Sequence, residues 1–240
     1  MTGTPASPDT DPDAALALRD FLAAHPPRSF DRGETLIHNT RHQSGQSGIS
    51  AGGSVAYVVE GLVRGGWNRP FIAPRHQATT IVAGDGRWVG VDAFKYGANL
   101  FLYEALTLTT ATVVPLSFLV GEAPRALLVH ALRCVSLDWC ATSSVQGLGR
   151  TSLERRTILL LYNLFRLHPR PEIEVRQRDV AELLGVARQS LHPVLKRLEQ
   201  RGLVALGYGE ILVGEADALL AELRAPATRV RAGKPRRKNP

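Results

Sequence analysis

Residues 177–196, QRDVAELLGVARQSLHPVLK, decide the reading of this chain. Val180, Leu184, Leu191 and Val194 fall at spacings that place them on the facing stripes of two short helices. Ala181 is small where the second helix must cross closely, and Gly185 can supply the positive φ that ends the first. Val186 fills the angle between them, and 188–201 continues as a second, exposed helix. Together these features predict a helix-turn-helix whose second helix enters the major groove of DNA. An ordinary helical hairpin would require neither the small residue at the crossing nor the glycine at the corner. Past KRLEQRGLVAL, residues 206–213, LGYGEILV, place glycines on both sides of Tyr208 and fit a small hairpin wing touching the DNA backbone.

Position within that unit assigns roles. Arg188 and Gln189 open the second helix, where side chains point into the groove; arginine pairs bidentately with guanine and glutamine with adenine. Ser190 and His192 are close enough to bond a phosphate or a base edge. Arg176, Arg178, Lys196, Arg197 and Arg201 read as phosphate contacts or solvated charges. Pro193 removes a backbone donor inside the helix.

Upstream, 13–24, DAALALRDFLAA, reads as a helix behind an Asp cap, closed by His25-Pro26-Pro27. From Arg28 to about Leu119, short β-branched and aromatic runs (ETLIH, SVAYVVEGLVRGGW, ATTIVA, RWVGVDAF, FLYEALTLTT, ATVVPLSFL) are broken by Gly, Pro and Asn, which implies an antiparallel sandwich or barrel. Residues 122–145 form a long helical stretch with Leu128, Leu132, Val135 and Trp139 on one face, suited to dimerisation. Gly147-Leu148-Gly149 gives a hinge, and Thr151 with Glu154 a capping box for the next helix. The organisation expected is α+β: an N-terminal stretch 1–12, an antiparallel β-roll over 13–120, a dimerisation helix over 121–148, a winged helix-turn-helix over 149–223 and a basic tail over 224–240. No internal repeat is present.

The chain has 240 residues, enough for two modest domains, each with its own core. At 44% hydrophobic residues it shows no apolar run near the roughly 18 a membrane span needs, and no signal-peptide pattern, so a cytoplasmic protein without a membrane partner is expected. Two cysteines, Cys134 and Cys140, are too few for a disulfide framework and read as buried thiols on one helix. The net charge is +7, matched by the seven cations Arg224, Arg229, Arg231, Lys234, Arg236, Arg237 and Lys238, and no acidic residue follows Glu222. Such a tail is expected to stay disordered and to add nonspecific phosphate contacts, the alternative being a merely solubilising segment. The opposite end, MTGTPASPDTDPD, is acidic and also expected to be disordered.

A β-roll, a long helix and a winged helix-turn-helix in this order resemble the CRP/FNR (cyclic AMP receptor protein and FNR) superfamily of bacterial transcription regulators, over about residues 14 to 215. The resemblance is carried by Arg32-Gly33-Glu34-Thr35-Leu36, by 56–63, AYVVEGLV, by 84–90, GDGRWVG, and by the helix-turn-helix. It implies a homodimer on a palindromic operator, with double-stranded DNA and RNA polymerase as partners. It also implies where a cyclic nucleotide would bind: a glutamate after the second glycine of the loop, and an Arg-Ser pair a few residues on. Here Gly90 is followed by Val91 and Asp92, and 97–102 reads GANLFL. A buried phosphate without its guanidinium lacks its main counter-charge, so cyclic AMP dependence is not expected. Pro193 stands where the family usually has a base-reading arginine.

The function expected is therefore a sequence-specific regulator with an unusual sensor domain and no cofactor. The alternative is a regulator whose roll binds haem or another small effector, on which DNA binding depends. For haem, His25, His38, His42 or His76 would be axial ligands; in loops such histidines are ordinarily solvated. Lys95 could contact another anion, though a surface lysine is the simpler reading, and the loop 38–54, HNTRHQSGQSGISAGGS, is either a surface insertion or a partner contact. No nucleophile elbow, P-loop or metal-ligand cluster suggests an enzyme.

Overall fold

A computed structural model describes residues 12–38, 52–67, 79–96, 98–99, 101–134, 136, 151–170 and 172–225. Helix α1 (Pro12–Ala24) leads into eight strands: β1 (Arg28–Phe30), β2 (Thr35–Ile37), β3 (Ser54–Glu60), β4 (Val63–Trp67), β5 (Thr79–Ala83), β6 (Arg87–Val89), β7 (Phe101–Ala105) and β8 (Thr109–Pro115), with a single helical turn, α2 (Ala93–Tyr96), between β6 and β7. They form two antiparallel four-stranded sheets, ordered β1-β8-β3-β6 and β2-β7-β4-β5. Phe30, Leu36, Ile37, Ala56, Val58, Val63, Phe101, Tyr103 and Ala111 fill the space between the sheets.

Strand β3 is buried on both faces, and its alternation explains how. Ala56 and Val58 point into the roll, while Val55 and Tyr57 point outward with Trp88 and Val114 onto a second cluster. That cluster is completed by Phe21 of α1 and by Leu127, Ala131 and Cys134 of helix α3, which starts at residue 125 after a π-helical turn at Phe118–Glu122. A period of 3.6 places Leu127, Ala131 and Cys134 on one stripe, and that stripe is what the roll covers.

The C-terminal unit comprises α4 (Leu153–Leu167), β9 (Ile173–Arg176), α5 (Gln177–Leu184), α6 (Arg188–Gln200), β10 (Ala205–Leu206), β11 (Glu210–Val213) and α7 (Ala216–Arg224). The wing is a three-stranded sheet, β10-β11-β9, because Ile173–Arg176 pairs with β11.

Several expectations are corrected. The N-cap of α4 is Ser152, whose hydroxyl accepts from Arg155 N, and not Thr151. Helix α1 starts one residue before Asp13, which lies in its first turn. RWVGVDAF is not one strand, since it turns helical at Ala93. Arg224 ends α7 and does not open a tail, because 216–224 carries a helical apolar stripe, with Leu219 buried, that packs on α4. Leu128 of the expected dimer face is partly buried against its own roll, while Leu132 is 50% exposed. His25 does not sit in a solvated loop: its Nδ1 lies 3.2 Å from Phe21 O and its ring stacks on Phe21. Residues 39–51, Val135, residues 137–150 (with Trp139, Cys140 and the glycine hinge), residues 1–11 and residues 226–240 lie outside the described residues, as do His42, His76 and the Lys95 side chain. No described helix is long and apolar enough to cross a membrane.

Candidate DNA-binding surface

The crossing of α5 and α6 is built as its residues require. Val180, Ala181, Leu184, Leu191 and Val194 are all buried at the crossing, with Leu195 and Leu198 extending the seam. Gly185 adopts φ 66°, ψ 35°; its N–H donates to Glu182 O, and Val186 N–H to Ala181 O. This is a Schellman ending, which needs the left-handed conformation at that one residue. Arg156 of α4 donates to Leu184 O at 2.6 Å and so satisfies another carbonyl at the same helix end.

Helix α6 stays continuous through Pro193, and its N-cap Ala187 offers no side-chain cap. Arg188, Gln189, Ser190, His192 and Pro193 are exposed on the face opposite the buried seam. Uncapped N–H groups at a helix start favour phosphate, and the side chains beside them can reach base edges. The wing tip lies next to this end of the helix: a Cβ on Gly209 would stand 3.9 Å from Arg188 Nη2. Gln177 N–H donates to Gly209 O at 2.8 Å, which ties the wing to the start of α5, and Tyr208 between the two glycines is fully exposed.

The predicted phosphate contacts separate into two groups. Arg176 and Arg188 carry no ion pair among the described residues. Arg178 pairs with Glu182 on its own helix at 2.9 Å and Lys196 with Glu199 at 2.9 Å, both remaining more than half exposed. Arg197 and Arg201 turn the other way, onto Glu154 of α4 at 3.0 and 2.6 Å, with Arg201 also on Glu222 of α7. These pairs tie the end of α6 to α4 and α7, while Arg197 stays 52% exposed, as Lys196 does. Glu154 lies 43 and 47 positions from Arg197 and Arg201 in sequence, so position along α6 did not reveal this role.

Four of the unit's acidic residues are turned toward the roll. Asp179 and Glu182 of α5 meet Arg64 of β4, and Glu174 and Glu210 of the wing sheet meet Arg32. Burial raises the Asp179 carboxyl above its ordinary range despite the pull of Arg64. Burial acts in the same direction on Glu182, but its hydrogen bonds to Arg178 and Arg64 outweigh it and hold that carboxyl low. Burial disfavours the Arg64 charge, and Glu104 and Glu182 more than restore it. Cations thus stand exposed beside α6 while these four carboxylates are neutralised against the roll, which favours a polyanionic ligand on the α6 side. None of the interdomain partners was legible in the sequence.

Near the place where the resemblance puts a nucleotide clamp, the described residues Asp92 and Asn99 bond to other parts of the roll. Asn99 is fully buried; its Oδ1 accepts from Ser54 N at 2.7 Å and its Nδ2 donates to Ser54 O and Gly90 O at 2.9 and 3.0 Å. Asp92 accepts from Tyr103 OH at 2.8 Å and from Phe101 N at 3.2 Å. Val91 packs against the Trp88 cluster. Among the described residues no group of three His, Cys, Asp or Glu could hold a metal ion.

Residues 155–222 match the Crp-like helix-turn-helix domain. Solved structures share the fold over most of the chain. A CRP-family transcriptional regulator from Thermus thermophilus is 21% identical, with a TM-score of 0.60 over 82% of this chain and 96% of that one. FixK2 from Bradyrhizobium japonicum is 19% identical, with a TM-score of 0.59 over 85% and 98%. The c-di-GMP responsive global regulator CLP from Xanthomonas campestris is 19% identical, with a TM-score of 0.57 over 84% and 99%. No curated protein sequence matches the chain.

Proposed function

We infer that this chain, of the CRP/FNR superfamily by its fold and by its Crp-like reading unit, is a sequence-specific transcription regulator that binds a palindromic operator as a homodimer and does so without cyclic AMP. The observation that carries the reading is the outward face of α6, where Arg188, Gln189 and His192 stand exposed beside an uncapped helix start and an exposed wing. In a dimer, two such helices enter successive major grooves one helical turn apart. Support for the dimer comes from α3, where Leu132 is 50% exposed and Val129 38%. With Arg125 and Ser136 they follow 4-3-4 spacing along the side of α3 away from the roll, the seam of a coiled coil. RNA polymerase would be a partner if the regulator activates.

Independence from cyclic AMP is supported by the loop chemistry. Asn99 spends its amide on Ser54 and Gly90, Asp92 accepts from Tyr103 OH and Phe101 N, and the stretch 97–102, GANLFL, offers no guanidinium to a cyclic phosphate. A ligand of another kind is the second form of this reading, since one relative in fold is a c-di-GMP responsive regulator. An absorption spectrum and ligand-dependent operator affinity distinguish haem and other effectors from none.

The test of base reading is Arg188→Ala. On the cognate site, found by mapping bound DNA with the tagged protein, it costs about 1 to 3 kcal/mol and relaxes preference at one base pair per half-site. An equal loss on cognate and random DNA would show that Arg188 supplies charge alone and would remove the main support for base reading by α6.

A further inference from the structure

Two arginines of the roll reach across to the reading unit, each into a group of carboxylates. Arg64 on β4 stands in register with Glu104 on β7 and holds that carboxylate through Nε at 3.0 Å and Nη2 at 2.8 Å. The sheet therefore aims the guanidinium. Its remaining nitrogen, Nη1, lies 2.5 Å from Glu182 Oε2 and 3.6 Å from Asp179 Oδ1, one turn apart on α5. The side chains of Arg64 and Asp179 are only 13% and 10% exposed, so removing the cation would leave carboxylates facing one another with little water. Arg32, in the turn between β1 and β2, donates to Glu210 at the foot of the wing at 2.8 Å and to Glu174 on β9 at 3.0 Å.

Elsewhere the domains touch through backbone, apolar and further charged groups, among them an ion pair between Arg170 and Glu60. Asp85 N–H donates to Leu167 O at 2.8 Å, His168 Nδ1 lies 2.7 Å from Asp85 Oδ1, and Leu62, Val82 and Leu106 of the roll join the core of the reading unit. The clamps grip α5 and the wing sheet. They leave the outer face of α6 uncovered, so docking on the roll does not hide the DNA-reading residues.

We propose that Arg64 and Arg32 are positioning residues for DNA binding: they fix α5 and the wing in one orientation on the roll and thereby set the angle at which each recognition helix meets its half-site. This rests on the dimeric regulator described above. Two heads held rigidly lose less freedom on binding and tolerate only one separation of half-sites. A head released from the roll reads the same bases but accepts several separations.

The experiment uses the full-length protein and a series of palindromes in which the spacer between cognate half-sites is lengthened or shortened by single base pairs. Wild type should favour one spacing by about tenfold or more, whereas Arg64→Met should bind it more weakly and flatten the spacing preference while keeping base preference within the half-site. Hydrogen exchange in α5 should rise in the same variant. Arg32→Gln, a milder change at a more exposed clamp, should shift both readouts in the same direction. The quadruple variant Arg64→Met, Glu104→Gln, Asp179→Asn, Glu182→Gln removes the stranded carboxylates and controls for misfolding: it should melt like wild type and still lose spacing preference. Tighter cognate binding by Arg64→Met, or a spacing preference kept in every folded variant, would overturn the proposal. Failure of wild type to bind any palindrome would instead bring down the regulator reading, while exchange in α5 still reports whether the arginines hold the unit.

Discussion

Gly84 shows how much one residue can carry. An added Cβ there would stand 2.0 Å from Leu167 O and 2.5 Å from its carbonyl carbon, and backbone has no rotamer by which to yield. The absence of a side chain lets the turn that follows β5 lie directly on the C-terminal end of α4, where Asp85 then bonds Leu167 O. Gly84→Ala is expected to cost about 1 to 3 kcal/mol by overpacking and to loosen the joint between roll and reading unit. Thermal denaturation together with hydrogen exchange at 167–170 measures it; an unchanged melting temperature would mean that the two domains do not meet this way in solution. Gly185 was legible from its place at the corner of a helix-turn-helix, because the need for positive φ is local. Gly84 was read only as part of the GDGRWVG loop, because the residue it must clear, Leu167, belongs to the other domain.

At the scale of elements, α3 and α6 show the same division of faces. In α3, the stripe Leu127, Ala131 and Cys134 is buried on the roll, and the apolar residues left over, Val129 and Leu132, face outward. The sequence offered Leu128 and Leu132 as one face; the packing assigns them to different ones, since an apolar stripe alone does not say which neighbour covers it. Leu132→Glu should give monomers in sedimentation experiments that bind a palindrome far more weakly than the dimer, because each half-site supplies only part of the binding surface. A persistent dimer would place the interface elsewhere. In α6, the buried seam was read correctly, yet Arg197 and Arg201, similar in sequence to Lys196, belong to Glu154 and Glu222.

For the whole molecule, charge and closure of the roll are the relevant quantities. The net charge is +7, and the stretch after Glu222 holds seven cations, six of them beyond the end of α7 at Arg224. Removing residues 228–240 should weaken cognate and random DNA alike and reduce the dependence of log affinity on log salt by up to about 0.9 for each phosphate the tail had neutralised. A change of base preference on removal would contradict a purely electrostatic tail. Adding cyclic AMP should change neither melting temperature nor operator affinity. A stabilisation of roughly 2 to 3 kcal/mol at about 100-fold over a micromolar dissociation constant would show that the loop around Asn99 opens to admit a nucleotide.

What the sequence by itself determined was whatever depends on short range and on periodicity: the crossing of α5 and α6, the glycine at their corner, the alternating strands of the roll, and the order of sheet, helix and reading unit. Period 2 and period 3.6 are properties of the chain, and they survive without knowledge of partners. Tertiary structure alone decided the third wing strand, the helix α7, the two faces of α3 and the interdomain clamps. Glu104 and Glu182 lie 40 and 118 positions from Arg64, which holds them both. A charge in a sequence names no partner, because its electrostatic interaction depends on distance in space and on the water excluded between the groups.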